Sequence, residues 1–166
     1  MSRKPTGRLV EDSGVSRVVM HRSFRAPIED VWASVTESDR LERWIATYSG
    51  DPADGWVTFR MNAEGGAPEE RMEIRSCRPP HHLAVTAHSG EERWLLDLDL
   101  HEADGVTTLE FSQVCSDPEV AASMGAGWEY YLDRLVAAET GGDVGAVDFD
   151  RDYYPAMADH FRGLFD

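Results

Sequence analysis

Positive charge is scarce in this chain of 166 residues. Sixteen Lys and Arg face 31 Asp and Glu, for a formal net charge of −15 at pH 7, and Lys4 is the sole lysine. A surface that acidic repels phosphate backbones and anionic headgroups, which argues against nucleic-acid and membrane-surface roles. Cysteine is equally thin. Cys77 and Cys115 are too few for a disulfide framework and suit a reducing compartment. No apolar run approaches the ~20 residues of a membrane span. Arg3, Lys4 and Arg8 are not followed by an apolar stretch, so the start does not read as a secretory signal. The expectation is a cytoplasmic protein with both thiols reduced.

Catalytic signatures are missing as well. There is no G-x-S-x-G elbow, Walker loop, H-E-x-x-H or C-x-x-C. The pair Gly125 and Gly127 lacks the third glycine of a dinucleotide fingerprint and reads as small residues that let a helix approach its neighbours. His81 and His82 are adjacent, so on a strand they point to opposite faces, and no third ligand stands at zinc spacing. No catalytic residue, metal or cofactor is expected from these patterns.

What is present is enough apolar material for one core. Hydrophobic residues make up 42% of the chain, including five Trp, five Tyr and six Phe, which excludes disorder over most of its length. The length suits one domain. Residues 1–14 are polar and aperiodic and read as a flexible tail. Val18, Met20 and Phe24 alternate with Val19, His21 and Ser23 and predict a strand from Val15. Pro27, Glu29 and Asp30 then open a helix whose apolar positions are Ile28, Val31, Trp32 and Val35. Ser38 reads as the N-cap of a second short helix carrying Leu41, Trp44 and Ile45.

From Ala46 to Val114 the period changes from 3.6 to 2. Five alternating sets carry Val57-Phe59-Met61, Met72-Ile74, Leu83-Val85-Ala87, Trp94-Leu96-Leu98-Leu100 and Leu109-Phe111. Turn signals separate them at Gly65-Gly66, Pro79-Pro80, Ser89-Gly90 and Asp104-Gly105. Links this short make antiparallel hairpins. A helix of more than twenty residues follows, opened around Ser116-Asp117-Pro118-Glu119 and stopped at Gly141-Gly142. Its apolar stripe is Val120, Met124, Trp128, Tyr131, Leu132 and Leu135, with Glu129, Asp133, Arg134 and Glu139 on the remaining face. Residues 142–166 form an acidic loop and a short aromatic segment.

The expected fold is α+β: a curved antiparallel sheet of about six to seven strands around one long C-terminal helix, with two short helices after the first strand. Three motifs bear a resemblance to a known family: Arg25-Ala-Pro-Ile-Glu-Asp-Val-Trp32, Leu41-x-x-Trp44, and Gly127-Trp-Glu-Tyr-Tyr-Leu-Asp-Arg-Leu135. With them the chain resembles the START-like helix-grip (SRPBCC) superfamily, in the branch similar to the C-terminal domain of the activator of the Hsp90 ATPase. The resemblance covers residues 15–141, and Tyr153-Tyr154-x3-Ala158 looks like the tail of bacterial members.

The resemblance implies a cavity between helix and sheet that takes a small hydrophobic or aromatic ligand. On the predicted inward faces its lining would be Phe59, Met72, Ile74, Trp94, Leu96, Phe111, Gln113, Met124, Trp128 and Leu132, with Arg22 and Ser76 as further polar candidates. The resemblance also implies two alternatives. One is partnership with an Hsp90-type chaperone, against which stands a segment of only fourteen residues where the eukaryotic activator has a further domain. The other is polyketide cyclase or aromatase chemistry, which needs a placed acid or base that the inward faces do not supply. A monomer or homodimer fits either. The charge carries its own prediction: the protein should pass unretained through heparin and DNA columns at physiological salt. Retention there would reveal a local basic patch around Arg71, Arg75 and Arg78.

Overall fold

The computed structural model describes residues 3–62 and 68–166. The elements run β1 (Arg8–Asp12), β2 (Val15–Phe24), α1 (Ile28–Thr36), α2 (Ser38–Leu41), β3 (Ala46–Ser49) and β4 (Trp56–Met61). After them come β5 (Glu70–Arg78), β6 (His82–Ser89), β7 (Glu92–Ala103), β8 (Val106–Val114), α3 (Pro118–Thr140), α4 (Phe149–Asp152) and α5 (Ala158–Gly163). All eight strands join one antiparallel sheet in the order β1-β2-β8-β7-β6-β5-β4-β3. Together with the long helix α3 this is the helix-grip architecture. Among the described residues no helix is long and apolar enough to cross a membrane.

The sheet exceeds the expected six to seven strands because both edges escaped the sequence pattern. Residues expected as a flexible tail form β1 instead, paired with β2 from Arg8↔Val19 to Asp12↔Val15. The connection is Ser13-Gly14, both at positive φ (53° and 82°), a two-residue hairpin turn whose twist matches that of the strands. Asp104-Gly105 makes the same turn between β7 and β8. At the other edge β3 is only four residues long, too short for alternation to show. Ser38 helps to position it. Glu37 takes the cap position expected for Ser38, and the Ser38 hydroxyl accepts from the Tyr48 amide at 3.0 Å. The Gly65-Gly66 turn expected before β5 lies outside the described residues.

The helix α3 begins where the sequence places it, with the Asp117 carboxylate accepting from the Glu119 amide at 2.9 Å, and ends on Gly141 at φ 75°. Met124, Tyr131, Leu132 and Leu135 are buried, as their spacing requires, while Val120 at the first turn is 38% exposed, beyond the reach of the sheet. The polar side of the helix departs further from expectation. Glu129 is 1% exposed, because residues 142–166 and the N-terminal segment form a third layer over α3. Tyr153, Met157 and Phe161 from that layer are buried.

The layer is held by one buried ionic cluster. The Glu129 carboxylate accepts from the Thr6 amide, from the Thr6 hydroxyl at 2.6 Å, from the Gly7 amide at 3.0 Å and from Arg22 on β2 at 2.8 Å. Arg22 also donates to Asp133 at 3.1 Å, and Asp133 accepts from the Tyr153 hydroxyl at 2.7 Å. Burial, together with that bond and the charge of Asp133, pushes the Tyr153 phenol up. Arg22→Met leaves Glu129 buried without its counter-charge and should cost about 3–5 kcal/mol in urea denaturation. A loss below about 1 kcal/mol would show that the neutral donors alone satisfy the carboxylate.

Two glycines on α3 behave oppositely. A Cβ on Gly125 would lie 2.5 Å from the Phe161 ring, whereas one on Gly127 would meet nothing within 4 Å. Alanine gains roughly 1 kcal/mol over glycine inside a helix, but overpacking a filled site costs roughly 1–3 kcal/mol. Gly125→Ala should therefore destabilise the protein and Gly127→Ala should stabilise it. Equal shifts in denaturation midpoint would contradict this packing.

Candidate functional site

The inward faces of β4 to β8 and the sheet-facing side of α3 enclose two adjoining chambers. The inner one, about 170 Å³, is walled by apolar side chains from α1, α2 and the turn after it, α3 and the sheet, including Leu41, Trp44, Ile74, Val85, Leu109, Phe111 and Leu132. The outer one, about 550 Å³, lies toward the N-terminal half of α3 and is bounded by Met61, Trp94, Met124, Gly127, Tyr130, Tyr131 and Phe149. Phe59, Met72, Leu96 and Trp128 line both and form the wall between them. An apolar void of about 150 Å³ is large enough to take up benzene, and pockets for small molecules span roughly 300–1,000 Å³. Together the chambers have the size and chemistry of a small-molecule site.

Trp128 is the fixed point of that wall. Its indole Nε1 donates to Gln113 Oε1 at 2.7 Å, its ring centroid is 4.4 Å from that of Phe111 at an interplanar angle of 38°, and Tyr131 meets it edge-on at 6.0 Å. Gln113 is 2% exposed and supports the tryptophan from β8; it does not line either chamber. The structure thus brings Phe59, Met72, Ile74, Trp94, Leu96, Phe111, Met124, Trp128 and Leu132 to the chamber walls and leaves Gln113 behind them.

The other polar candidates are displaced for identifiable reasons. Arg22 faces inward but is committed to Glu129 and Asp133. On β5 the register shifts between Ile74 and Ser76, so that Ile74 pairs with Val85 and Ser76 with Ala84. One extra residue reverses the alternation beyond it. Cys77, paired with the inward Leu83, therefore lines the inner chamber in place of Ser76. Cys115 lies at the end of β8 with β6 and β7 between it and β5, and burial pushes its thiol up. The histidines are scattered: His81 contacts the Leu100 carbonyl, His82 Asp99 and His88 Glu73. Among the described residues no three His, Cys, Asp or Glu side chains converge as a metal would require.

Several lining residues gave no separate signal in the sequence. Tyr48 stands on the short strand β3, where its hydroxyl donates to the Thr36 carbonyl at 2.8 Å; burial, with the charges of Glu37 and Asp39, pushes the phenol up and keeps that donor in place. Phe149 comes from the C-terminal layer and packs edge-on to Tyr130 at 5.3 Å. The alternation of Leu83 and Val85 already placed them inward. Gly127 marks a space, and a missing side chain has no periodicity to read.

The comparisons with known proteins agree with this fold. Similar solved structures include CalU16 from Micromonospora echinospora, at 20% identity and a TM-score of 0.65, covering 96% of this chain and 91% of that one. A conserved protein of unknown function from Enterococcus faecalis, EF2215, matches at 23% identity and a TM-score of 0.68, over 95% and 88% of the two chains. DynU16, from the dynemicin biosynthetic locus, matches at 23% identity and a TM-score of 0.59, over 77% of this chain and 49% of that one. These likenesses concern the fold. No curated protein matches the sequence. A family profile matches residues 25–139, from the Arg25-Ala-Pro motif to the last turn of α3. The chain is therefore a member of the family described as Activator of Hsp90 ATPase homolog 1-like protein, within the START-like helix-grip superfamily.

Proposed function

We propose that the protein binds a small hydrophobic or aromatic molecule, without catalysis, in the chambers between α3 and the sheet. The observation that carries this is the outer chamber, 550 Å³ of space beside aromatic side chains at the point where α3 has Gly127. Maximal packing would place a larger side chain there, since cores otherwise fill to crystal density. The residues that would contact the ligand are those that line the walls, from Phe59 and Met72 to Trp94, Met124 and Trp128. Chemistry of the polyketide-cyclase kind has weaker support. DynU16 comes from a biosynthetic locus, but among the described residues Glu70 and Arg71 are the charged side chains lining the chambers, and both belong to the outer one. A chaperone partnership rests on the family description alone.

Gly127→Leu separates folding from binding. The helix gains on the order of 1 kcal/mol from replacing glycine, and the new side chain occupies the outer chamber. Wild-type protein titrated with the neutral probe 1-naphthol should show saturable quenching of tryptophan fluorescence. Its stability should rise by about 2.7 kcal/mol at a hundredfold excess over the dissociation constant. The variant should lose both responses while melting no lower than wild type. Responses that persist in Gly127→Leu would place binding elsewhere. Failure of 1-naphthol and of a wide panel of neutral aromatics and lipids to bind wild-type protein would favour the protein-partner reading.

A further inference from the structure

We infer that the outer chamber selects a cationic amphiphile: an aryl or alkyl body carrying an ammonium group, held with that group beside Glu70. This rests on the small-ligand reading and specifies its chemical class. Trp94, Trp128, Tyr131 and Phe149 surround the outer chamber together with Tyr130, whose ring already has the Arg134 guanidinium 5.3 Å from its centroid. The negative faces of such rings attract ammonium ions, and more strongly when water is excluded.

Glu70 supplies the charge. It pairs with Phe59 across β4 and β5, which puts it on the inward side of the sheet, and it lines the outer chamber. Among the described residues its carboxylate has no hydrogen-bond or ion-pair partner. The neighbouring Arg71 also borders the chamber, but its guanidinium is engaged elsewhere. The Arg71 guanidinium lies 4.5 Å over the ring of Trp56 and its Nε is 3.7 Å from Glu73, residues of the opposite, outer face. A carboxylate without an ion-pair partner among the described residues favours a cation and disfavours an anion of the same shape. The net charge of −15 adds to this at longer range by concentrating cations near the surface. The inner chamber has no charged side chain among the described residues and suits an uncharged body.

Three probes of one skeleton test the inference: 4-phenylbutylamine, 4-phenylbutanol and 4-phenylbutyrate, titrated by tryptophan fluorescence and calorimetry into wild-type protein and Glu70→Gln. In wild type the amine should bind about tenfold tighter than the alcohol, and the carboxylate weaker than either. The advantage of the amine should shrink as salt is raised. In Glu70→Gln the ratio of amine to alcohol affinity should fall toward one. That ratio is taken within each protein, so a general change in folding does not move it. Carboxylate binding as tight as the amine, a ratio near one in wild type, or a ratio unchanged by Glu70→Gln would overturn the inference and leave the small-ligand reading standing. So would binding of 1-naphthol with no member of the series bound. If 1-naphthol, all three probes and the wide panel of neutral aromatics and lipids fail on wild-type protein, the small-ligand reading itself falls.

Discussion

A carboxylate taken out of water must be met by donors from the protein, and the burial of Glu129 imposes that requirement at the centre of this fold. Its donors come from the N-terminal segment at Thr6 and Gly7 and from Arg22 on β2, so three parts of the chain distant in sequence must meet at one point. The rotation of α3 about its own axis follows. Gly125, Glu129 and Asp133 lie four residues apart and share the face turned to the outer layer, where Phe161 packs on Gly125 and Tyr153 bonds to Asp133. Met124, Trp128 and Leu132, offset by one residue, share the face turned to the sheet. The ionic cluster and the apolar stripe specify one orientation of the helix from opposite sides.

That orientation delivers Trp128 to the wall between the chambers, and its hydrogen bond to Gln113 keeps it there. The site is consequently a product of constraint around an unfilled space. Phe111 and Tyr131 brace the tryptophan, the bulge on β5 turns Cys77 inward, and Gly127 leaves room that any larger residue would take. Among the described residues the charged side chains lining the chambers are Glu70 and Arg71, both at the outer one, where Glu70 faces in and the Arg71 guanidinium stacks on Trp56.

Local pattern carried much of this architecture. Period-2 alternation located β2 and β4 to β8, the motif from Arg25 to Trp32 located α1, and the caps at Asp117 and Gly141 bounded α3. The same alternation assigned most of the chamber-lining strand residues to their walls, because a strand with one buried face leaves side-chain direction little freedom. The edges were illegible for the complementary reason. β1 has no apolar face to register, since its role is to pair with β2 beyond a Ser13-Gly14 turn, and β3 has only four residues. Ser76 was misplaced by one inserted residue, which reverses every direction after it without changing composition.

The sequence by itself therefore determined the class of fold, the helix boundaries and the apolar side of most strands, because these depend on neighbours within a few residues. It also determined that the surface would be strongly acidic. The burial of Glu129, the third layer over α3, the commitment of Arg22 and the space beside Gly127 were decided by tertiary structure alone. Each depends on groups far apart in the sequence or on an atom that is absent, and neither leaves a period in the chain.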